Sequence, residues 1–212
     1  MQSRYAGLFC ALCATLLAAA PARAGGGLLG LDTYVTLDNR GIWARKNQQI
    51  LLDVMIIGDA GLALWEGGDS RLGRTSWQSV DAAVVGTAAA EVMKFAFSRA
   101  RPSATTNPDL WFQGSGNQSF PSGEATITSA IVTPFVLQYR HDHPAVYLLE
   151  LLPIYDSIAR VKVHGHWPSD VIAGFALGTA AGYFMEQRTR TPLILSVMPH
   201  GIYVGISRHL DF

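Results

Sequence analysis

Three short clusters of charged and small residues interrupt an otherwise apolar chain, and they constrain its fold more than any other feature. They read Lys94-x6-Arg101-Pro102, Pro121-Ser122-Gly123-Glu124 and Arg160-x5-His166-x3-Asp170. Hydrophobic residues make up 49% of the sequence, so cations placed within apolar stretches need an anion to justify their burial. We therefore expect the fold to bring the three clusters together around an anionic ligand.

Hydrophobic periodicity predicts that the chain is helical. In the first segment, apolar residues recur every three or four positions from Ile50 to Leu62, as on one face of an α-helix. Prolines mark the helix boundaries, because the residue before a proline is pushed out of the helical region and a proline fits the first helical turn. We predict an all-α fold, a bundle of about five to six helices. The main predicted helices span roughly 47–66, 77–99, 122–139, 144–163 and 168–187.

Two regions depart from the helical pattern. Residues 102–121 are rich in Pro, Ser, Thr, Asn and Gly and predict a long polar loop, which in a compact domain is usually functional or mobile. Residues 192–207 alternate around Pro199-His200-Gly201 and predict a small C-terminal β-hairpin. The predicted organisation is a lead-in at 25–46, a helical-bundle domain at 47–190 and a hairpin extension at 191–212.

The N-terminus has the pattern of a secretory signal peptide at 1–24. Arg4 is a short basic start, an uncharged and mostly apolar run of eighteen residues follows from Tyr5 to Ala22, and Ala22-Arg23-Ala24 has the form of a cleavage site. The alternative is a retained membrane anchor. Cleavage would remove both cysteines of the chain, so the mature protein would have no disulfide and no thiolate metal site. We therefore predict a periplasmic or secreted protein.

The charge balance argues against a polyanionic partner. Loss of Arg4 and Arg23 with the signal peptide would leave 14 basic and 16 acidic residues, a net charge of −2. Without an excess of basic residues, nucleic-acid binding is not expected.

Membrane-spanning segments are not expected in the mature chain. The uncharged stretches 125–139 and 171–185 hold fifteen residues each, short of the roughly 18–20 that a spanning helix needs. Asp53 and Asp59 interrupt the apolar run at 50–65. Buried helices of a soluble bundle fit this pattern better, and peripheral attachment to a bilayer is left open.

The first cluster predicts a pair of cations on one helix face. Lys94 and Arg101 are seven residues apart, about two helical turns, in a segment that is otherwise mostly Ala, Val, Met and Phe. One cation alone would be typical of a solvated surface, but two on one apolar face indicate an anion site. Arg99 is expected to point elsewhere, as an ordinary surface residue.

The second cluster lies where the polar loop enters a helix. A helix start offers free backbone N–H groups and the positive end of the helix dipole, which suit an anion. Gly123 allows a ligand to approach the backbone closely, and the Ser122 hydroxyl can donate to a phosphate oxygen. The alternative is that Ser122 simply caps the helix.

The third cluster combines a nucleophile with a cation. Asp170, in the first turn of the last helix, is expected to accept a hydrogen bond from one nitrogen of His166, which leaves the other nitrogen free to attack. Arg160 supplies a guanidinium that matches phosphate oxygens. A His-x3-Asp pair alone is often only structural. A zinc site is not expected, because the remaining histidines lack convincing ligand spacing.

Together and in this order, the three clusters resemble the signature of the superfamily of type 2 phosphatidic acid phosphatases, bacterial acid phosphatases and vanadium haloperoxidases, over about residues 50–187. The resemblance implies a helical bundle with the site at the ends of its central helices. It also implies that His166 attacks phosphorus to form a phosphohistidine, that Asp170 stabilises the imidazolium, and that water hydrolyses the intermediate without a metal or cofactor. The phosphate oxygens would be held by Lys94, Arg101 and Arg160, with Ser122 and Gly123 as further donors.

Two positions depart from the family's pattern. Ala159 replaces the usual Ser before Arg160, a minor loss, and Glu124 replaces the His that normally protonates the leaving oxygen. A free Glu has a pKa of about 4.3. Glu124 therefore serves as the acid only if burial raises its pKa, if a bound phosphate offsets the nearby cations, or if the enzyme works at acid pH. His164 is a further candidate for the lost acid.

We therefore predict a secreted, metal-independent phosphatase with His166, Asp170 and Glu124 as its catalytic residues. Its substrate would be a phosphomonoester or a lipid phosphate or diphosphate. Two alternatives remain open. The same oxyanion site can hold vanadate, as in a haloperoxidase, although those enzymes are normally much longer. If Glu124 only pairs with Arg or Lys, the protein would be a catalytically degenerate binder of phosphate or lipid headgroups. The sequence indicates no oligomeric state.

Overall fold

The computed structural model describes residues 26–188 and the backbone of two short segments, 195–198 and 201–204. Five α-helices dominate the described part of the chain, which confirms the predicted helical fold. The predicted signal peptide, 1–24, lies outside the described residues. The α-helices are α1 (Arg45–Glu66), α2 (Arg71–Phe97), α3 (Gly123–Tyr139), α4 (Leu151–Lys162) and α5 (Pro168–Glu186), and the 3-10 helices are Leu28–Gly30, Gly41–Trp43 and Pro144–Glu150.

Local chemistry explains where α2 begins and ends. Ser70 Oγ accepts a hydrogen bond from Gly73 N at 2.9 Å and caps the start of the helix. At the other end, Ser98 has a φ of 40°, in the left-handed region, and the helix stops there. Arg101 therefore lies beyond the helix, and the expectation that Lys94 and Arg101 share one helix face is wrong.

The predicted helix 144–163 is split in two. Pro144–Glu150 form a 3-10 helix, and α4 begins only at Leu151. Pro153 explains the split, because it has no N–H to donate to the carbonyl of Leu149 and its ring clashes with that group in an α-helix. The split leaves α4 short, with Arg160 in its last turn.

Helices α3 and α5 pack almost backbone to backbone at the centre of the bundle. A Cβ at Gly174 would lie 2.4 Å from the main-chain oxygen of Ser122, and one at Gly178 would lie 2.1 Å from that of Thr126. This close approach brings the N-termini of α3 and α5 next to each other. Helix α2 packs against both. The buried side chains between these helices are Ala82, Ala130, Ala181 and Met185.

Helix α1 lies on the outside of the bundle. Its most apolar window is only 22% buried, and by length and composition it is the one helix of the described part that could cross a membrane. The expectation of a buried helix is therefore wrong for α1. The apolar side chains of α1 that are more than half exposed are Ile50, Val54, Ile57, Leu64 and Trp65.

Two short strands follow the bundle. β1 (Leu195–Met198) and β2 (Gly201–Val204) pair antiparallel, with Leu195 opposite Val204. The residues that would connect and flank them lie outside the described residues, so the predicted C-terminal hairpin stays a prediction.

Candidate active site

Residues of the three clusters meet at the N-terminal ends of α3 and α5. Ser122 N donates to the main-chain oxygen of Asp170 at 2.9 Å, which joins the second cluster to the third. A Cβ at Gly123 would lie 2.9 Å from Lys94 Nζ, so the cation of the first cluster reaches the start of α3. A helix start next to a cation is a favourable place for an anion.

His166 is held in one tautomer by a main-chain acceptor. Its Nδ1 lies 2.7 Å from the oxygen of Ser119, and because a carbonyl can only accept, Nδ1 carries the proton. Asp170 Oδ2 is 3.8 Å from Nδ1, too far for a hydrogen bond. The expected hydrogen bond between His166 and Asp170 is therefore wrong, and the carboxylate acts on the ring through its charge. Within the described residues, Nε2 has no hydrogen-bond partner.

The surroundings of His166 favour its neutral form. Burial lowers the pKa of His166 to about 4; Asp170 opposes this shift, while Arg160 and Arg101 act in the same direction as burial. A neutral ring with its proton on Nδ1 has a lone pair on Nε2, which is the state that a nucleophilic histidine requires.

Asp170 is a buried carboxylate that several donors keep ionised. Its Oδ1 accepts from Arg99 Nη1 at 2.5 Å, and its Oδ2 accepts from Ser119 Oγ at 2.5 Å and from Trp167 N at 2.9 Å. Burial acts to raise the pKa of Asp170, but His166, Arg99 and Ser119 outweigh burial and lower that pKa below its usual range. Asp170 thus caps α5 and places a negative charge beside His166.

Arg99 is not a surface residue, and the expectation that it points away from the site is wrong. Its side chain is fully buried between two carboxylates, with Nη2 2.5 Å from Asp32 Oδ2 and Nη1 2.5 Å from Asp170 Oδ1. Asp32 in turn accepts from Ser169 N at 2.8 Å and from Ser169 Oγ at 2.7 Å. Asp32, which precedes α1, is thereby tied to the start of α5 and to the carboxylate beside His166.

Three cations flank the start of α3. Lys94 Nζ is paired with Glu91 Oε1 at 2.5 Å, and Arg101 Nη2 donates to the oxygen of Gln118 at 3.2 Å. Burial lowers the pKa of Arg160, and Arg101 lies close enough for its charge to contribute to that decrease. The structure thus brings all three predicted phosphate-binding cations into one region, although two of them already have partners.

The described residues satisfy the guanidinium of Arg160 only in part. The closest acceptor of its Nη1 is Gln48 Oε1 at 3.5 Å, and within the described residues its buried Nε has none. Gly165 makes room for the guanidinium, because a Cβ at that position would lie 2.5 Å from Arg160 Nη2. A buried guanidinium with an unused donor is suited to binding an oxyanion.

Glu124 is paired with a cation that the sequence pattern did not indicate. Arg45, in the first turn of α1, donates from Nη1 to Glu124 Oε2 and from Nη2 to Oε1, both at 2.5 Å. Arg160 Nη1 is a further 3.8 Å from Oε1. Burial acts to raise the pKa of Glu124, but the hydrogen bonds from Arg45 and the charges of Arg160 and Arg45 outweigh burial, and the pKa lies below its usual range.

Two other residues of the expected site make structural contacts, although the contact of Ser122 uses its oxygen as an acceptor and leaves its O–H able to donate. Ser122 Oγ accepts from Ala125 N at 3.4 Å, which is the capping contact of the alternative interpretation. Both ring nitrogens of His164 are engaged by the segment before α1, Nδ1 with Tyr34 Oη at 3.2 Å and Nε2 with the oxygen of Val35 at 2.7 Å. His164 therefore holds the N-terminal segment in place and has no free nitrogen for the role of the acid.

The described residues hold no group of three or more His, Cys, Asp or Glu side chains that could bind a metal ion. The three cations that converge here, Lys94, Arg101 and Arg160, suit an oxyanion.

A sequence model of the PAP2 superfamily matches residues 77–208, more than half of the chain. The chain belongs to the PAP2 superfamily. This finding confirms the family that the three clusters resemble. The PAP2 match contains all three clusters, whereas Arg45 and Asp32, which contact cluster residues, lie before it.

Curated relatives of this PAP2 protein include lipid phosphatases. The chain is 36% identical over 94 residues to a lipid A 1-phosphatase of Rhizobium johnstonii, covering 42% of this chain and 37% of the relative. It is 30% identical over 105 residues to an undecaprenyl-diphosphatase of Sulfolobus acidocaldarius, covering 49% and 50%. A lipid A 1-phosphatase of Rhizobium etli is 35% identical over 94 residues, covering 42% and 39%. The chain spans half or less of the length of these relatives. No solved structure matches it.

Sequence reasoning missed four residues that contact the PAP2 clusters, for different reasons. Arg45 and Asp32 are distant in sequence from the residues they bind, and no local pattern marks them. Ser119 acts on His166 through its main-chain oxygen, which any residue type would supply. Arg99 was visible as a charge beside the first cluster, and only the end of α2 at Phe97 makes it turn inward.

Proposed function

We propose that this PAP2 protein is a phosphatase that hydrolyses a lipid phosphate or diphosphate through a phosphohistidine at His166. The observation that carries the proposal is the state of His166, whose Nδ1 is committed to Ser119 while Nε2 has no partner in the described residues. The names of the relatives, lipid A 1-phosphatase and undecaprenyl-diphosphatase, support a lipid phosphate as the substrate.

In the first step, His166 Nε2 attacks phosphorus. The N–P bond forms while the P–O bond to the leaving group breaks, and the electron pair of that bond goes to the leaving oxygen. Arg160, Arg101 and Lys94 stabilise the charge on the non-bridging oxygens, and such fixed cations usually supply the largest catalytic contribution. Asp170 offsets the positive charge that the ring acquires.

In the second step, water attacks the phosphohistidine. The new P–O bond forms as the P–N bond breaks, its electron pair returns to Nε2, and inorganic phosphate is released with the protons of the water. His166 is then neutral again. Neither step requires a metal ion, since the three cations and the helix starts supply the positive charge. We include metal independence in the proposal for that reason.

The cellular location is also part of the proposal. The sequence pattern at 1–24 supports export to the periplasm or secretion. Exposed apolar side chains on α1 and on the last turns of α2, such as Trp65 and Phe95, which are 87% and 84% exposed, support contact with a lipid phase.

Phosphate release by the purified protein tests the proposal. We expect release from farnesyl diphosphate or phosphatidic acid in the presence of EDTA, across about pH 4–8. His166→Ala should reduce it by about 10⁴-fold or more, because removal of a nucleophile costs on that order. The matched control is His141→Ala, which removes an exposed histidine and should retain full activity. Loss of all activity in EDTA would overturn metal independence, and full activity of His166→Ala would overturn the nucleophile.

A non-catalytic binder is the second candidate, and the Arg45–Glu124 pair favours it. A protein that binds phosphate with no acid for the leaving group could hold a lipid headgroup without turnover. Such a binder would retain affinity for a lipid phosphate while releasing no inorganic phosphate from any substrate, whereas a phosphatase releases phosphate in proportion to the enzyme added.

A further inference from the structure

The residue at the family's acid position is not available to donate a proton. Both oxygens of Glu124 accept charge-assisted hydrogen bonds from Arg45 at 2.5 Å. A proton on either oxygen would break one of these bonds and leave a guanidinium N–H without its partner. The pair is bidentate, the strongest arrangement of these two side chains. Glu124 is therefore a carboxylate that positions Arg45.

Arg45 is held at the open side of the cation group. Its Nη1 also donates to Gln48 Oε1 at 3.1 Å. Gln48 is fully buried, and the same Oε1 atom lies 3.5 Å from Arg160 Nη1. The Arg45 side chain is 32% exposed, against 16% for Glu124 and 6% for Arg160. A ligand bound to Arg160 would therefore find Arg45 on its solvent side.

No other described acid near this group can replace the missing proton donor. His164 has both nitrogens engaged by Tyr34 and Val35. Asp156, one turn before Arg160 on α4, is fully buried, away from the solvent side of the group where Arg45 lies. On the leaving-group side, the site offers a fixed cation where the family has a proton donor.

We propose that Arg45, fixed by Glu124, stabilises a leaving group that departs as an anion, and that the preferred substrates are phosphoanhydrides, that is, diphosphate esters. This inference rests on the proposed phosphatase function. His166 Nε2 bonds to the terminal phosphorus, and the P–O bond to the bridging oxygen breaks. The electron pair goes to the bridging oxygen, which leaves as the phosphate monoester anion beside Arg45. Water then cleaves the P–N bond and releases inorganic phosphate.

The chemistry of the two leaving groups explains the preference. A phosphate monoester has its second pKa at about 6, so it leaves as a stable anion without a proton. A simple alcohol leaves from a monoester as an alkoxide, a base about as strong as hydroxide. Only hydrolysis of the monoester therefore needs a general acid. A general acid typically contributes about 10²–10⁴-fold to the rate.

Matched lipid substrates test the inference. We expect wild-type protein to hydrolyse farnesyl diphosphate at least about 100-fold faster, in kcat/KM, than farnesyl monophosphate, the low end of a general-acid contribution. p-Nitrophenyl phosphate, whose aryl oxygen leaves without a proton, should also be hydrolysed faster than farnesyl monophosphate. Equal rates for the two farnesyl substrates would overturn the inference while the proposed function stands. No hydrolysis of any of the three would overturn both.

Two variants separate the roles of the pair. Glu124→His supplies a proton donor at the family's position and should raise the rate on farnesyl monophosphate relative to the diphosphate at least tenfold. Arg45→Gln should lower the rate on the diphosphate more than the rate on the monophosphate, and should therefore also raise the rate on the monophosphate relative to the diphosphate. An unchanged ratio in either variant, with an unfolding midpoint equal to that of the wild type, would contradict the assigned roles. ADP serves as a soluble anhydride. Slower turnover of ADP than of farnesyl diphosphate supports a lipid substrate, and faster turnover of ADP would overturn the preference for a lipid.

Discussion

Arg99 Nη1 donates to Asp170 Oδ1 at 2.5 Å, and neither side chain is exposed to solvent. Asp32 binds the other end of the same guanidinium, so one buried cation is shared by two buried carboxylates. A single cation neutralises only one of the two, and Asp170 thus keeps negative charge for the ring of His166. Arg99 therefore supports the nucleophile through Asp170. Arg99 is itself held by Asp32, which lies 67 positions earlier in the sequence.

Removal of the shared cation should destabilise the fold. Arg99→Ala leaves Asp32 and Asp170 buried without their partner, and we expect the free energy of unfolding to fall by roughly 3–5 kcal/mol. Urea denaturation measures the change. The matched control is Arg74→Ala, which removes an exposed arginine and should change the free energy by less than about 0.5 kcal/mol. Equal stability of the two variants would contradict the role of the buried pair.

A side chain at Gly165 should displace Arg160. The Cβ of Gly165→Ala would lie 2.5 Å from Arg160 Nη2 and 2.7 Å from its Cζ, so the guanidinium has to move. We expect the inhibition constant for orthovanadate, a phosphate analogue, to rise roughly tenfold, which corresponds to about 1.4 kcal/mol. Gly58→Ala is the control, because a Cβ at Gly58 meets no atom within 4 Å. Unchanged inhibition in Gly165→Ala would argue that Arg160 does not bind the oxyanion.

Asp156 should make the fold less stable as the pH rises. Burial, with the charge of Glu124 acting in the same direction, raises the pKa of Asp156 to about 7 from 3.8. Between these values the folded protein binds more protons than the unfolded chain, so the free energy of unfolding falls with increasing pH. Asp156→Asn removes this dependence and should stabilise the protein by roughly 2–3 kcal/mol more at pH 8 than at pH 5. Denaturation at the two pH values measures the difference, and an equal effect at both would contradict a raised pKa.

His166, in contrast, should make the fold more stable as the pH rises. Its pKa is about 4 in the folded protein and 6.5 in the unfolded chain. Between these values the unfolded chain binds more protons, so the contribution of His166 to stability rises with pH and is complete above about 6.5. In His166→Gln the free energy of unfolding should rise less steeply over this window than in the wild type. Because the attacking ring must be neutral, kcat/KM should fall only when the pH drops to about 4, where His166 becomes protonated. Identical slopes in the two proteins would contradict the lowered pKa.

The sequence predicted those parts of the site that depend on near neighbours along the chain. Helix α3 starts at Gly123 because Ser122 caps it, and α5 starts at Pro168, as their local residues indicate. The three clusters meet because they end or begin helices that pack together. Such features follow from capping chemistry and hydrophobic spacing, both of which can be read from short windows.

Contacts between distant segments could not be read in this way. The Arg45–Glu124 pair joins residues 79 positions apart, and only the packing of α1 against the bundle brings them together. The burial of Arg99 depends on a single residue, Ser98, whose left-handed conformation ends α2. Helical spacing extended past that point placed Arg99 at the surface. The direction of the pKa shift of Glu124 could not be predicted from the sequence either. It depends on Arg45, a partner that the sequence pattern did not identify.

The formation of a phosphohistidine at His166 can be measured directly. Protein mixed with farnesyl diphosphate labelled on its terminal phosphate should be quenched in base, where phosphohistidine survives, and its peptides mapped by mass spectrometry. We predict one labelled site, His166, with the label lost in acid and absent from His166→Ala. Label on another residue, or turnover by His166→Ala without any labelled histidine, would contradict His166 as the nucleophile.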